Sequence, residues 1–211
     1  MSEQTNRVLI VDYGGVLGEH HQLSAESELA RLFRTDIQTI RGLLSEKSEH
    51  GCAVRESRIT ETEFWNRVAD LSGIPLNSRP KDSVLSTLWA KTYKIDEKVY
   101  SVLSRFRGKV PLGVLTNIDK ARSEYLINEV GICSKVDFYF PSYRFGAIKP
   151  KPQIWRCVTD ELQSNFDCTV EIIYVDDRQS HVKAAGSFGW KGIVYENAIK
   201  LEQALDKLHL T

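Results

Sequence analysis

Four short stretches of this sequence carry the residue types from which a reactive site could be built. The first is Asp12, which follows the apolar run Val8-Leu9-Ile10-Val11 and precedes Tyr13-Gly14-Gly15. Such a run reads as a strand buried on both faces, as in a parallel sheet. A carboxylate at the end of such a strand is costly unless something pairs with it. A metal ion or a reacting phosphoryl group is such a partner; an ordinary cap on the next segment is the alternative. The second stretch is Thr116-Asn117, behind Val114-Leu115, where a hydroxyl stands at a chain turn. The third is Lys149, followed by Pro150 and Pro152, which hold it in an extended turn. The fourth is Asp176-Asp177, behind the run Glu171-Ile172-Ile173-Tyr174-Val175. Two adjacent acids repel each other unless a cation sits nearby; a solvent-facing turn with a helix cap is the ordinary alternative.

For these stretches to meet, the elements that carry them must share one edge of a sheet. Strands are expected at 7–12, at 110–115, at 137–140, at 171–175 and at 192–195. Between the later ones lie helical segments. Asp96 caps a helix to Phe106, Asp119 one from Lys120 to Val130, and Asn197 the last amphipathic one to Leu208. Another is expected around Ile154–Leu162 and another from Ser180 to about Phe188. Strands alternating with helices predict βαβ units, and hence an α/β fold with a Rossmann-like three-layer core around a parallel five-stranded sheet. Polar residues then cluster past the carboxyl ends of strands one, two and four, the edge where open α/β sheets bind ligands.

No convincing strand lies between Glu19 and Ile95, so 19–95 reads as an inserted helical cap, with 1–18 and 96–211 forming the core. Within the insert Ser24 opens a helix through Phe33. Thr35-Asp36-Ile37-Gln38 has the pattern of a capping box for a helix through Leu44, and Thr60-Glu61-Thr62-Glu63 that of another, ended by Gly73. Pro80 and Asp82 start a further helix through Trp89. Arg55 and Arg58 read as solvated, and Trp65 and Trp89 as the core of the insert.

At 211 residues the chain has room for one domain with such an insert. Its 28 Lys and Arg equal its 28 Asp and Glu, which gives no basic excess for nucleic acid or an anionic membrane. No apolar run reaches membrane-spanning length, and the polar start Met1-Ser2-Glu3-Gln4-Thr5-Asn6 does not read as a signal peptide. Cys52, Cys133, Cys157 and Cys168 lack metal-ligand spacing and read as free thiols of a reducing compartment. A cytoplasmic protein, monomer or homodimer, is the expectation.

In their order and spacing, the strings VLIVDYGGVL, GVLTN, GAIKPKPQIW and YVDDRQSHVKAAGSFGW resemble the haloacid dehalogenase superfamily, in its branch with a small helical cap. That branch includes sugar-phosphate phosphatases and the amino-terminal phosphatase domain of epoxide hydrolase. The resemblance implies a Mg2+-dependent phosphatase acting on a small phosphorylated metabolite. It makes Asp12 the nucleophile that forms an aspartyl-phosphate. It gives Mg2+ to Asp12, the backbone carbonyl of Gly14, Asp176 and Asp177. The Thr116 hydroxyl, the Asn117 N–H and the Lys149 ammonium would receive the phosphoryl oxygens.

The sequence departs from the family pattern at Gly14. Most family phosphatases carry a second Asp there, which protonates the leaving oxygen and then activates water. Glycine keeps the carbonyl ligand and loses that proton donor. Glu19, His20 and His21 stand near enough in sequence to be considered as replacements, although hinge residues in solvent are the plainer reading. His181 reads as the start of a helix, and Lys151 as a surface lysine. Two other functions compete with the phosphatase: a metal-free 2-haloacid dehalogenase, which Gly14 suits and Asp176-Asp177 does not, and a non-catalytic binder of a phosphorylated ligand or protein partner.

Overall fold

The computed structural model describes residues 6–19, 22–166 and 168–208. The chain begins with β1 (Asn6–Val11) and passes through five helices: α1 (Gln22–Leu32), α2 (Ile37–Leu44), α3 (Glu49–Arg55), α4 (Glu61–Leu71) and α5 (Asp82–Ala90). It then alternates: α6 (Glu97–Ser104), β2 (Leu112–Thr116), α7 (Lys120–Asn128), α8 (Ile132–Lys135), β3 (Phe138–Pro141), α9 (Pro152–Phe166), β4 (Val170–Asp176), α10 (Gln179–Gly186), β5 (Lys191–Val194) and α11 (Ala198–Lys207). The five strands form one sheet in the order β3-β2-β1-β4-β5, with every pair parallel. This is the expected Rossmann-like α/β fold. No described helix is long and apolar enough to cross a membrane.

The central position of β1 explains its unbroken apolar run. Because side chains alternate along a strand, Val8 and Ile10 enter one core and Leu9 and Val11 the other. The first core is completed by Ile154, Trp155, Val158 and Leu162 of α9, the second by α6, α7, α8 and α11. β4 divides in the same way: Ile172 and Tyr174 share a face with the α9 side, Ile173 and Val175 the opposite one. Both strands are therefore covered on both faces, as a parallel sheet requires.

Helices α1 to α5 enclose a third core of their own, in which Phe33, Phe64, Trp65 and Trp89 pack ring against ring. Both tryptophans thus sit in the core of the insert. The Thr60–Glu63 capping box forms on α4, with Thr60 Oγ1 accepting from Glu63 N and Glu63 from Thr60 N. Helix α5 begins at Asp82 as expected, whereas the remaining two starts differ. At α2 the cap is Asp36, whose carboxylate accepts from both the N–H and the hydroxyl of Thr39. A charged acceptor in the N-cap position outcompetes the Thr35 hydroxyl one residue earlier. Helix α1 begins at Gln22, ahead of Ser24. Helix α3 is an addition to the expected elements, opened by Ser48 Oγ accepting from Gly51 N at 2.9 Å.

The insert leaves the sheet and returns to it at one place. Gly18 pairs with Ile95 in an isolated antiparallel bridge; Glu19 N donates to Lys94 O at 3.0 Å and Asp96 N to Leu17 O at 2.8 Å. Just before this point Gly15 adopts φ +85°, where a residue without Cβ is unstrained, and turns the chain sharply out of β1.

Candidate active site

At the carboxyl edge of the sheet, β1 lies between β2 and β4, and the ends of these three strands supply Asp12, Thr116 and Asp176. Asp12 N donates to Val175 O at 2.8 Å, which fixes the carboxylate beside the end of β4. Asp12 and Thr116, with Asp176 buried behind Lys149, line a cavity of about 220 Å3 together with Gly14, Asn117, Lys149 and His181. Its opposite wall comes from the insert: Glu26 of α1, Arg41 and Leu44 of α2, Glu46, Arg55 of α3 and Trp89 of α5.

Lys149 is the centre of the sheet-side wall. Its ammonium is 1 % exposed and lies 2.9 Å from each of Asp12 Oδ1, Asp176 Oδ2, Tyr174 Oη and Leu115 O. Burial disfavours its charge, but the two carboxylates outweigh that and hold the ammonium above its ordinary pKa. Asp176 is fully buried. Its Oδ2 also accepts from the Tyr174 hydroxyl and lies 3.1 Å from His181 Nδ1, while Oδ1 accepts from Arg178 N at 2.9 Å. Burial alone would raise its pKa; Lys149, then His181 and Tyr174, override it and hold the carboxyl well below the usual range. Asp12 goes the other way. Burial pushes it up to about 6, Lys149 only partly offsets this, and the charge of Asp176 adds to the rise.

Asn117 works through its side chain, in addition to the backbone role considered above. Its Oδ1 accepts from Lys149 N at 2.7 Å and its Nδ2 donates to Lys149 O at 3.0 Å, a two-bond clasp that fixes the lysine loop to the end of β2. The same Nδ2 donates to Glu46 Oε2 at 2.9 Å, and Glu46 also pairs with Arg178. Glu46 thereby reaches from the insert to two loops of the sheet edge.

Five residues named from the sequence, Asp12, Gly14, Thr116, Asn117 and Lys149, line this one cavity, and a sixth, Asp176, meets Lys149 from behind it. Asp177, the seventh, is exposed and outside the cavity lining. A Cβ built on Gly14 meets nothing within 4 Å, so the position beside Asp12 is open space. Among the replacements considered for a proton donor, Glu19 is exposed, and His20 and His21 lie outside the described residues. His181 does belong to α10, yet it is also buried and lines the cavity, because the first turn of α10 runs directly beneath the end of β4. Arg55 corrects a second expectation. It is buried, since its guanidinium finds backbone carbonyls inside the insert. Arg58, with its side chain 52 % exposed, stays in solvent as expected. Lys151 is half-exposed and pairs with the buried Glu56 of the insert. The sequence reading missed Tyr174, Glu46, Arg41 and Arg122. Only Tyr174 left a signal there: it stands two residues before Asp176, on the same face of β4.

The donor set suits a hard divalent cation. Carboxylate oxygens of Asp12 and Asp176 and a nitrogen of His181 all lie within 4.8 Å of one another, and burial disfavours the ionised form of Asp12, which a cation would stabilise.

A family model described as haloacid dehalogenase-like hydrolase matches residues 7–189. No curated protein matches the sequence. Among solved structures, a HAD family enzyme of Bacteroides thetaiotaomicron, in complex with magnesium and inorganic phosphate, is similar at TM-score 0.69 and 17% identity, over 91% of this chain and 94% of that one. A predicted HAD-like family hydrolase from Porphyromonas gingivalis is similar at TM-score 0.75 and 16% identity, over 97% and 98%. The L-2-haloacid dehalogenase of Xanthobacter autotrophicus, with chloropropionic acid covalently bound, is similar at TM-score 0.60 and 15% identity, over 89% and 76%.

Proposed function

Because the chain belongs to the haloacid dehalogenase-like hydrolases, we propose that it is a magnesium-dependent phosphomonoesterase that acts on a small organic phosphate through an aspartyl-phosphate. The observation that carries this reading is the pairing of two buried carboxylates, Asp12 and Asp176, with one ammonium, Lys149, at the floor of a roofed cavity. That arrangement carries one surplus negative charge, and a divalent cation turns it into one positive charge, which an anionic phosphoryl group can approach. A metal-free attack on a 2-haloacid is disfavoured on the same ground, since the substrate's own carboxylate would meet an excess of negative charge.

An Asp12 oxygen attacks phosphorus in line as the bond to the ester oxygen breaks. That oxygen leaves with the electron pair and takes a proton from water, there being no carboxyl at position 14. Water then attacks the acyl phosphate, releasing phosphate and restoring Asp12. Lys149 offsets the charge that spreads over the phosphoryl oxygens, and the Thr116 hydroxyl and Asn117 N–H donate to them. Asp12, the Gly14 carbonyl, Asp176 and Asp177 would hold Mg2+. Magnesium, when bound, lets two anions approach each other. The insert roofs the site and keeps bulk water out. A substrate of this kind fits a cytoplasmic protein whose cysteines are free.

The test is phosphate release from p-nitrophenyl phosphate with Mg2+. Asp12→Asn is expected to lower turnover by at least about 10³-fold; equal rates would remove Asp12 as the nucleophile. Halide release from 2-chloropropionate without metal is expected to be nil.

A further inference from the structure

The helical end of the cavity carries charges that phosphoryl transfer leaves unused. Arg55, at the end of α3, is 7 % exposed, and its Nη1 and Nη2 donate to Gly51 O at 2.6 Å and Leu44 O at 2.9 Å. The other three arginines on the cavity wall each have a carboxylate: Arg41 pairs with Glu26, Arg122 with Asp119 and Arg178 with Glu46. Among the described residues Arg55 has none within 4.0 Å.

A second guanidinium stands close by. Arg122 lies over the Trp89 ring at 3.4 Å from its centroid, and Arg55 over the same ring at 5.2 Å. Arg122 gives Nε to Asp119 and Nη1 to the Tyr93 hydroxyl at 2.9 Å; its Nη2 is buried without any hydrogen-bond partner. Two buried guanidiniums therefore share one carboxylate, and one donor points at nothing. Burial first, and then the charge of Arg122, pushes Arg55 down to about 9. A buried cation without a counter-ion and an orphaned donor are each destabilising, and an anionic oxygen group arriving with a ligand would relieve both. The cavity of about 220 Å3 is small beside the roughly 300–1,000 Å3 of pockets for drug-sized ligands, so it has room for a ligand of few carbons.

We infer that the substrate is a phosphomonoester of few carbons bearing a second anionic group, a carboxylate or another phosphate, which Arg55 and Arg122 receive beside Trp89. The inference rests on the phosphatase reading for the group that goes to Asp12. Arg55 and Arg122 bind; they take no part in the reaction.

Binding of phosphonates, which cannot be hydrolysed, tests this apart from turnover. The probes are n-propylphosphonate, 3-phosphonopropionate and propane-1,3-bisphosphonate, titrated calorimetrically in the presence of Mg2+. At least one of the two doubly anionic probes is expected to bind the wild-type protein tenfold or more tighter than propylphosphonate, and the tighter of them identifies the second group. Arg55→Met is expected to bring the three within about twofold, and Arg55→Lys to keep part of the preference. Circular dichroism checks that both variants fold, and the wild-type comparison decides the matter if they do not. Equal binding of all three probes by the wild type overturns the inference and leaves the phosphatase reading standing. Binding of none overturns both. An undiminished preference in folded Arg55→Met removes Arg55 from the proposed subsite.

Discussion

On the sheet side of the cavity the buried cation, Lys149, meets two carboxylates at 2.9 Å. On the helical side the buried cation, Arg55, meets two backbone carbonyls and the ring of a tryptophan. The two sites are similarly secluded, so the difference lies in what balances the charge. Lys149 is neutralised inside the protein, by two carboxylates that leave a surplus negative charge for a cation. Arg55 is solvated by the chain and not neutralised by it. A wall whose charged groups hold one another in place suits chemistry, because they need not move when charge develops. A wall left one charge short suits recognition, because its balance is completed from outside.

Deletion of each cation sets the two walls against each other directly. Lys149→Met leaves two buried acids facing each other and is expected to reduce the unfolding free energy by about 3–5 kcal/mol. Arg55→Met deprives two carbonyls of their donors, at roughly 1–3 kcal/mol. Urea titrations measure both, and equal losses would erase the distinction. A carboxyl added to the sheet side should sharpen it. Gly14→Asp has open space for its side chain and restores a proton donor beside Asp12. Turnover of an alkyl phosphate, whose leaving group is poor, should rise by about 10²-fold, with a much smaller gain for p-nitrophenyl phosphate. No gain on the alkyl phosphate would mean that another group already donates the proton.

The smallest effect concerns pH. Asp12 is raised from 3.8 to about 6 by burial, so the folded protein holds this proton more tightly than the unfolded chain does. Its contribution to stability is present in full below the unfolded value and is lost as pH rises through about 6. Asp176, held low by Lys149 and its hydrogen bonds despite its burial, behaves oppositely: its contribution is present above the unfolded value and lost only in strong acid. A cation can relieve Asp12 only once it is ionised. The rise in Tm on adding Mg2+ should therefore be slight at pH 5, larger at pH 7.5 and half-developed near 6, and it should lose that pH dependence in Asp12→Asn. A magnesium effect that is flat across this range would argue that Asp12 does not face the cation. The helical wall should be silent in the same window, because Arg55 titrates only near 9.

Most of the framework was legible because short-range rules decide it. Asp96, Asp119 and Asn197 cap α6, α7 and α11 as their types and positions suggest. The apolar run at β1 could only be a strand covered on both faces. Legibility failed where two local signals competed or where distance decided. Asp36 and Thr35 are both good caps side by side, and the capping-box spacing that points to Thr35 loses to the stronger acceptor. Helix α3 is seven residues long and contains Gly51, a poor helix former, kept where a Cβ would lie 2.1 Å from Ser45 O. The burial of Arg55 depends on carbonyls of Gly51 and Leu44, brought to it by the fold of α2 and α3, and the placing of half-buried Glu46 depends on Asn117 and Arg178, which are far away in the sequence. His181 shows the same limit: a helical period marks the helix but not which of its faces meets Asp176. The sheet-side wall was readable because strand ends announce themselves; the helical wall was not, because side chains from four helices converge on it by packing alone.

The bridge between Gly18 and Ile95 has a consequence for how such a molecule can change. The excursion that begins at one of these residues ends at the other, so the span closed by the bridge is set by the framework and not by the number of residues in between. Lengthening such an excursion carries only a slowly growing entropic penalty. The roof can accordingly be shortened, extended or exchanged while β1, β2 and β4 keep their register, which leaves selectivity free to drift over a floor that stays the same.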